Sequence, residues 1–104
     1  MAKPQRKLAP QSVHIPCQIQ PGAFPGEFLI TIKFGDEVVS GFVRENFLKF
    51  DDESKKSGNG FVRGTIVEQS EEETVIQMPG SFFTTATGLT SVSSKWAESN
   101  LVPA

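Results

Sequence analysis

Hydrophobic and polar residues alternate strictly in two segments of the chain, residues 12–19 and residues 27–34. Successive side chains of a strand point to opposite faces, so this period of two predicts two half-buried β-strands. Pro16 has no amide hydrogen, so the first strand is expected at a sheet edge, or with Pro16 at a non-pairing position. The apolar members are Val13, Ile15, Cys17 and Ile19 in the first segment and Phe28, Ile30, Ile32 and Phe34 in the second.

Two β-favouring arms, residues 61–68 and residues 74–78, flank a short polar stretch at residues 69–73. This arrangement predicts an antiparallel hairpin with an acidic tip. Residues 37–43 form a further apolar run that predicts a third strand beside residues 27–34. Gly41 interrupts that run, and an isolated glycine in a strand indicates a β-bulge or a sharp bend.

The remaining segments predict shorter elements. Residues 46–50 favour a short strand or a single helical turn, and residues 82–86 favour another strand. Residues 91–100 favour a short C-terminal helix, capped by Ser91 or Ser93 and anchored by Trp96. Five to six short strands separated by Gly and Pro turns are typical of an all-β fold, here a small antiparallel barrel. Closure is favoured because one open sheet of this size would leave a face unburied.

The stretch Gly41-Phe42-Val43-Arg44-Glu45-Asn46-Phe47-Leu48 resembles the closing segment of an SH3 domain. In that alignment Arg44 stands at the family's groove proline and Phe47 at its groove tyrosine. The resemblance implies an SH3-like or related small barrel. The family's groove for proline-rich peptides depends on aromatic side chains with polar tips. This chain has no tyrosine and one tryptophan, so only the barrel topology is carried over.

The chain has 104 residues, which predicts one domain. Residues 1–11 are expected to be a flexible N-terminal arm, and residues 12–104 a single β-barrel domain. Residues 51–59 are also expected to be mobile, because they are charged and lack apolar residues that could pack. The single cysteine and the absence of a signal sequence or a long apolar run predict a cytoplasmic protein without a membrane span.

Catalytic and metal-binding constellations are sparse. His14 and Cys17 are the only soft metal ligands, and their odd spacing on a strand places them on opposite faces. The carboxylates lie in predicted loops and turns rather than in a shielded cleft, where paired carboxylates carry out acid–base chemistry. We therefore expect no enzyme activity, no metal site and no cofactor.

Two Phe–Arg pairs, Phe42 with Arg44 and Phe61 with Arg63, each share a strand face because their members are two residues apart. If their strands adjoin, one arginine–phenylalanine surface results. The alternative is that the rings belong to the core and the arginines to its rim. Such a surface suits a protein contact, or stacked bases and phosphates. The net charge of −2 disfavours nucleic acid. The sequence thus predicts a non-catalytic module for protein–protein interaction, as an accessory subunit or homo-oligomer, with a nucleic-acid-binding barrel as the alternative.

Overall fold

A computed structural model of the protein describes residues 10–49, 58–79, 81–82 and 88–104. In these ranges the chain forms nine strands, one 3-10 turn at Glu45–Phe47 and one α-helix, α1, at Ser94–Asn100. The strands are β1 (Gln11–Pro21), β2 (Glu27–Phe34), β3 (Glu37–Arg44), β4 (Leu48–Lys49), β5 (Asn59–Gln69), β6 (Glu73–Gln77), β7 (Ser81–Phe82), β8 (Leu89–Ser93) and β9 (Val102–Pro103).

All the strand pairings of these ranges are antiparallel and belong to one sheet, in the order β7-β3-β2-β1-β5-β6-β8. Two short strands lie off this path, β4 beside β5 and β9 beside β1. The sheet curls into a half-barrel, and α1 is its short C-terminal helix. The predicted all-β small antiparallel barrel with a C-terminal helix is therefore confirmed. Six strands have five or more residues, namely β1, β2, β3, β5, β6 and β8.

The core lies on the concave face of the sheet. Alternate residues of β1, β2, β3, β5 and β6 point into it, as the period of two in the sequence requires. Ile30, Ile32 and Phe34 are buried as predicted, whereas Phe28, near the start of β2, is half-buried. The side chains with essentially no exposed surface are Ile15, Ile30, Ile32, Ile76, Val13, Val43, Val62 and Thr74.

The predicted hairpin is formed by β5 and β6, which are joined by residues 70–72. Their register shifts between Ile66 and Glu68, which marks a β-bulge. The bulge predicted at Gly41 is wrong, because the register of β2 and β3 runs unbroken from Glu27↔Arg44 to Phe34↔Glu37. The small residue at position 41 is buried within the core face instead.

The last helix begins where the sequence predicts a cap. The hydroxyl of Ser93 accepts a hydrogen bond from the amide of Trp96 at 3.0 Å, whereas Ser91 belongs to β8. The Trp96 ring meets the Phe34 ring edge-on, with 4.9 Å between centroids. This contact anchors α1 to the end of β2. Residues 46–50 are predicted as a short strand or a single helical turn. Their described part, residues 46–49, contains both, because the 3-10 turn leads into β4.

Strand β1 lies inside the sheet, and Pro16 occupies a break in its pairing. On one side β1 pairs with β5 from Gln11 to Gln18. On the other it pairs with β9 at residues 13–14 and with β2 only from Gln18 onward. Pro16 falls between these two pairings. The second of the two alternatives for Pro16, a non-pairing position, is therefore confirmed.

Several predictions concern residues outside the described ranges: most of the flexible arm at residues 1–11, most of the charged loop at residues 51–59 and most of the strand at residues 82–86. The described part of the chain contains no helix with the length and apolarity that a bilayer span requires.

Candidate binding surface

The first Phe–Arg pair lies on the convex face of the sheet. Phe42 and Arg44 belong to β3, where Phe42 is opposite Leu29 and Arg44 is opposite Glu27. Phe42 is half-buried and Arg44 is exposed, and Val43 between them is buried in the core. Phe42 and Arg44 thus share one face of β3, as their spacing in the sequence predicts.

The second pair occupies the same face on β5. Phe61 lies opposite Pro16 of β1 and Lys49 of β4, and Arg63 lies opposite His14. Phe61 is half-buried and Arg63 is exposed. The alternation again follows from Val62, which is fully buried between them.

The two pairs do not adjoin. Strands β2 and β1 lie between β3 and β5 in the sheet. The separation is three strand spacings of about 4.8 Å each, and the curl turns the two parts of the convex face away from each other. The condition for a single four-residue surface is not met, because β3 pairs with its hairpin neighbour β2 and β5 pairs with β1.

A different set of side chains gathers around the β5 pair. We call it the basic–aromatic patch; its members are His14, Phe47, Lys49, Phe61 and Arg63. The Arg63 guanidinium carbon lies 5.5 Å from the centroid of the Phe47 ring, within the range of a cation–π contact. The His14 and Phe61 rings are tilted by 57° with centroids 6.2 Å apart. Strands β1, β4 and β5, together with the 3-10 turn before β4, therefore bring His14, Lys49 and Arg63 together with the Phe47 and Phe61 rings.

The surroundings of His14 in the patch lower the pKa of its imidazole. Partial burial lowers it from its ordinary value of 6.5, and the positive charges of Lys49 and Arg63 lower it further. His14 is consequently neutral at physiological pH and offers an imidazole ring rather than a third cation. The permanent charges of the patch are those of Lys49 and Arg63.

Neither of these charges is neutralised within the described part of the chain, where no carboxylate lies within 4 Å of Arg63 or Lys49. Both side chains are exposed. An arginine held over an aromatic ring keeps its fork of donors directed outward and loses little freedom when it binds a carboxylate or a phosphate. The arrangement can hold an anionic group while the rings contact an apolar or planar neighbour.

Sequence reasoning named Phe61 and Arg63 but missed Lys49 as part of the same site. Lys49 is on β4 opposite Phe61 of β5, and this pairing of distant residues cannot be read from the chain. Phe47 was singled out only through the SH3 resemblance. His14 was considered only as a metal ligand, and its neighbour across the sheet could not be known from its position in the chain.

His14 and Cys17 lie on opposite faces of β1, as predicted: His14 is in the patch and Cys17 is buried in the core. Burial raises the pKa of the Cys17 thiol to about 12. The thiol therefore stays protonated and acts as a small apolar side chain. Within the described residues, no three side chains of His, Cys, Asp or Glu are grouped as metal ligands would be.

Comparisons of the chain with protein families, with curated proteins and with solved structures each return no match.

Proposed function

We propose that this protein is a non-catalytic binding module that holds an acidic segment of a partner protein on the basic–aromatic patch. The observation that carries the proposal is the grouping of Arg63 and Lys49 around Phe61 and Phe47 with no described carboxylate to neutralise them. Cations held in internal ion pairs would not be available to an anionic ligand, whereas cations without such a pair, placed beside aromatic rings, can bind one.

Protein contact is favoured over other anionic ligands for two reasons. Arginine and aromatic residues are the side chains most enriched at protein interfaces, and they contribute most to binding there. The chain as a whole carries a net charge of −2, which repels an extended polyanion but tolerates a short acidic segment at one basic spot.

The SH3 resemblance adds one point of support to this proposal. Residues 41–48 form the end of β3, the 3-10 turn and the first residue of β4. Phe47, at the family's groove tyrosine, is the ring under Arg63. The SH3-like relation itself stays a prediction.

The partner can be a different protein, which makes this chain an accessory subunit, or a second copy. The hairpin tip of each copy exposes Glu71, Glu72 and Glu73, a short acidic segment of the required kind. Sedimentation of the pure protein over a range of concentrations separates these cases, because only docking of a tip on a second copy's patch produces concentration-dependent association.

A nucleic-acid-binding barrel is the second candidate, and the same patch is the observation in its favour. Phe61 could stack on an unpaired base while Arg63 and Lys49 contact phosphates. With two phosphate contacts on a single strand, the logarithm of the binding constant falls with the logarithm of the salt concentration with a slope of about −1.4. So few contacts also mean that the affinity would be weak at physiological salt.

The test compares two labelled probes, a short glutamate-rich peptide and a single-stranded oligonucleotide of matched charge, by fluorescence anisotropy. We expect the peptide to bind and the substitution Arg63→Gln to weaken it about tenfold, the ratio for loss of ~1.4 kcal/mol from one charge-assisted contact. Glutamine keeps a polar, unbranched chain, so the loss reports the charge.

Arg44→Gln is the matched control, because Arg44 is equally exposed on the same face but two strands away from the patch. It should leave peptide binding unchanged. Equal losses in both variants would show that binding depends on overall charge and not on the patch. Tighter binding of the oligonucleotide than of the peptide, lost in Arg63→Gln, would replace the proposal with the second candidate.

A further inference from the structure

Beside the patch, the sheet opens into a cleft of about 630 Å³, within the size range of ligand sites. It forms where β1 and β2 separate after the pair Gln18↔Thr31. Pro16 lines it from β1 and Lys33 from β2. Trp96 and Asn100 of α1 line it where the two strands have parted.

The lining is mainly apolar, and none of the described residues that form it is acidic. Lys33 is the one cation among the described lining residues. Val38, 52% exposed, stands at its rim opposite Lys33 across the β2–β3 pair. Phe61 lines the cleft and also belongs to the patch, so the two sites are continuous across Pro16.

The backbone of β1 offers little to a ligand in this cleft. The amide of Ile19 donates to the Gly58 carbonyl at 2.6 Å on the β5 side, and the Ser12 carbonyl accepts from the Ala104 amide at 3.0 Å on the other side. Even-numbered residues of β1 thus direct their backbone groups away from β5. The even-numbered residue of β1 that lies at the cleft is Pro16, which has a carbonyl but no amide hydrogen.

The backbone of β2 is different. Because Gln18 faces Thr31 across the β1–β2 pair, Thr31 directs its backbone groups toward β1, and so does Lys33 two residues later. The β1–β2 register ends before Lys33, so within the described chain its amide and carbonyl face the cleft without a strand partner. Such an edge is a template for an added strand.

We infer that the cleft takes an apolar side chain of an extended acidic peptide, whose backbone pairs with β2 at Lys33 and whose carboxylates reach the basic–aromatic patch. The inference rests on the proposed function and specifies the partner: an acidic segment with one apolar anchor residue, bound in extended form. The acidic character of the partner follows from the charge of Lys33, from the absence of carboxylates among the described lining residues, and from the continuity with Arg63 through Phe61.

The experiment uses two labelled glutamate-rich peptides that differ at one central position, phenylalanine in the anchored peptide and serine in the other. Burial of the ring should make the anchored peptide bind about tenfold more tightly or better. Val38→Trp places a larger side chain at the rim and should reduce the affinity of the anchored peptide to that of the serine peptide. Leu89→Trp is the matched control, an exposed position on β8 remote from the cleft, and should preserve the difference.

A second measurement does not depend on any variant. Hydrogen exchange at the Lys33 amide should slow when the anchored peptide binds, because the amide then donates to the peptide backbone. Unchanged exchange at Lys33 with the peptide bound would overturn the inference.

The failures of the two proposals are distinguishable. Equal affinities of the two peptides, with both weakened by Arg63→Gln, would reject the cleft and leave the proposed function standing. Binding of neither peptide would reject the proposed function and the cleft with it.

Discussion

Replacing Ser94 with alanine removes the middle member of a buried chain of hydrogen bonds. The Ser94 hydroxyl donates to the Ser70 carbonyl at 2.7 Å and lies 2.8 Å from the Thr74 hydroxyl oxygen. A hydroxyl has one hydrogen, and that of Ser94 is used on Ser70, so Thr74 must be the donor to Ser94. The chain runs from Thr74 through Ser94 to Ser70 and joins the hairpin tip to the start of α1.

The direction of this chain makes the two hydroxyls unequal. Ser94→Ala leaves the Thr74 hydroxyl, which is 0% exposed, without an acceptor, and it leaves the partly exposed Ser70 carbonyl to water. An unsatisfied buried polar group costs about 1–3 kcal/mol. Thr74→Val removes the donor itself and leaves the Ser94–Ser70 bond intact, so it should cost only the net value of one bond, about 0.5–1.5 kcal/mol.

The double variant separates the cost of an unsatisfied buried hydroxyl from the net contribution of one hydrogen bond. Adding Thr74→Val to Ser94→Ala removes the unsatisfied hydroxyl, so the double variant should be more stable than Ser94→Ala alone. The assay is urea denaturation followed by the fluorescence of Trp96, the only tryptophan, whose ring packs on Phe34. A shift of the midpoint with an unchanged slope reports stability. Each kcal/mol corresponds to about 4–8 °C in Tm for a domain of this size.

Two results would refute the reasoning. A loss in Ser94→Ala no greater than that in Thr74→Val would show that the Thr74 hydroxyl finds another acceptor. A double variant less stable than either single variant would show that the two hydroxyls contribute independently, so the chain is not directional.

Three further predictions concern the core and the patch. Gly64→Ala places a Cβ 2.9 Å from an isoleucine methyl carbon, and this overpacking should cost about 1–3 kcal/mol in denaturant melts; an unchanged midpoint would mean that the core has room. The Cys17 thiol, with its pKa raised to about 12, should resist alkylation at about pH 8 in the folded protein and react at once in urea; rapid labelling of the folded protein would contradict its burial. Arg63→Gln should raise the pKa of His14 in an NMR titration, because it removes one of the charges that lower it. Since the folded pKa of His14 lies below 6.5, its effect on stability is absent above that pH, and stability falls as the pH drops from 6.5 through the folded value.

Patterns within the chain are enough to specify the local elements of this protein. A period of two is a property of each strand alone, so Ile30 and Ile32 could be assigned to the core before their neighbours were known. The same reasoning placed Phe61 and Arg63 on one face, placed the turn of the hairpin at the polar residues between its two arms, and identified Ser93 as a possible cap. Each of these depends on residues within a few positions of one another.

Which strands become neighbours is set by the folded molecule as a whole. Strand order depends on how all the concave faces pack into one core, and no local pattern in the chain records it. This order separated Phe42 and Arg44 from Phe61 and Arg63, which the sequence left open as one surface. It also brought His14 to Arg63 across 49 positions of the chain, by the register of β1 and β5.

The cleft shows both levels acting together. Pro16 could be recognised from the sequence as a residue that cannot donate to a strand on one side. The curl of the sheet and the packing of Trp96 on Phe34 decide where that side lies. They also part β2 from β1 there, so that in the described chain the backbone of Lys33 has a strand partner in β3 but none on its β1 side. Backbone hydrogen bonds between distant segments are chosen by that packing, so the site emerges only when the complete sheet is assembled.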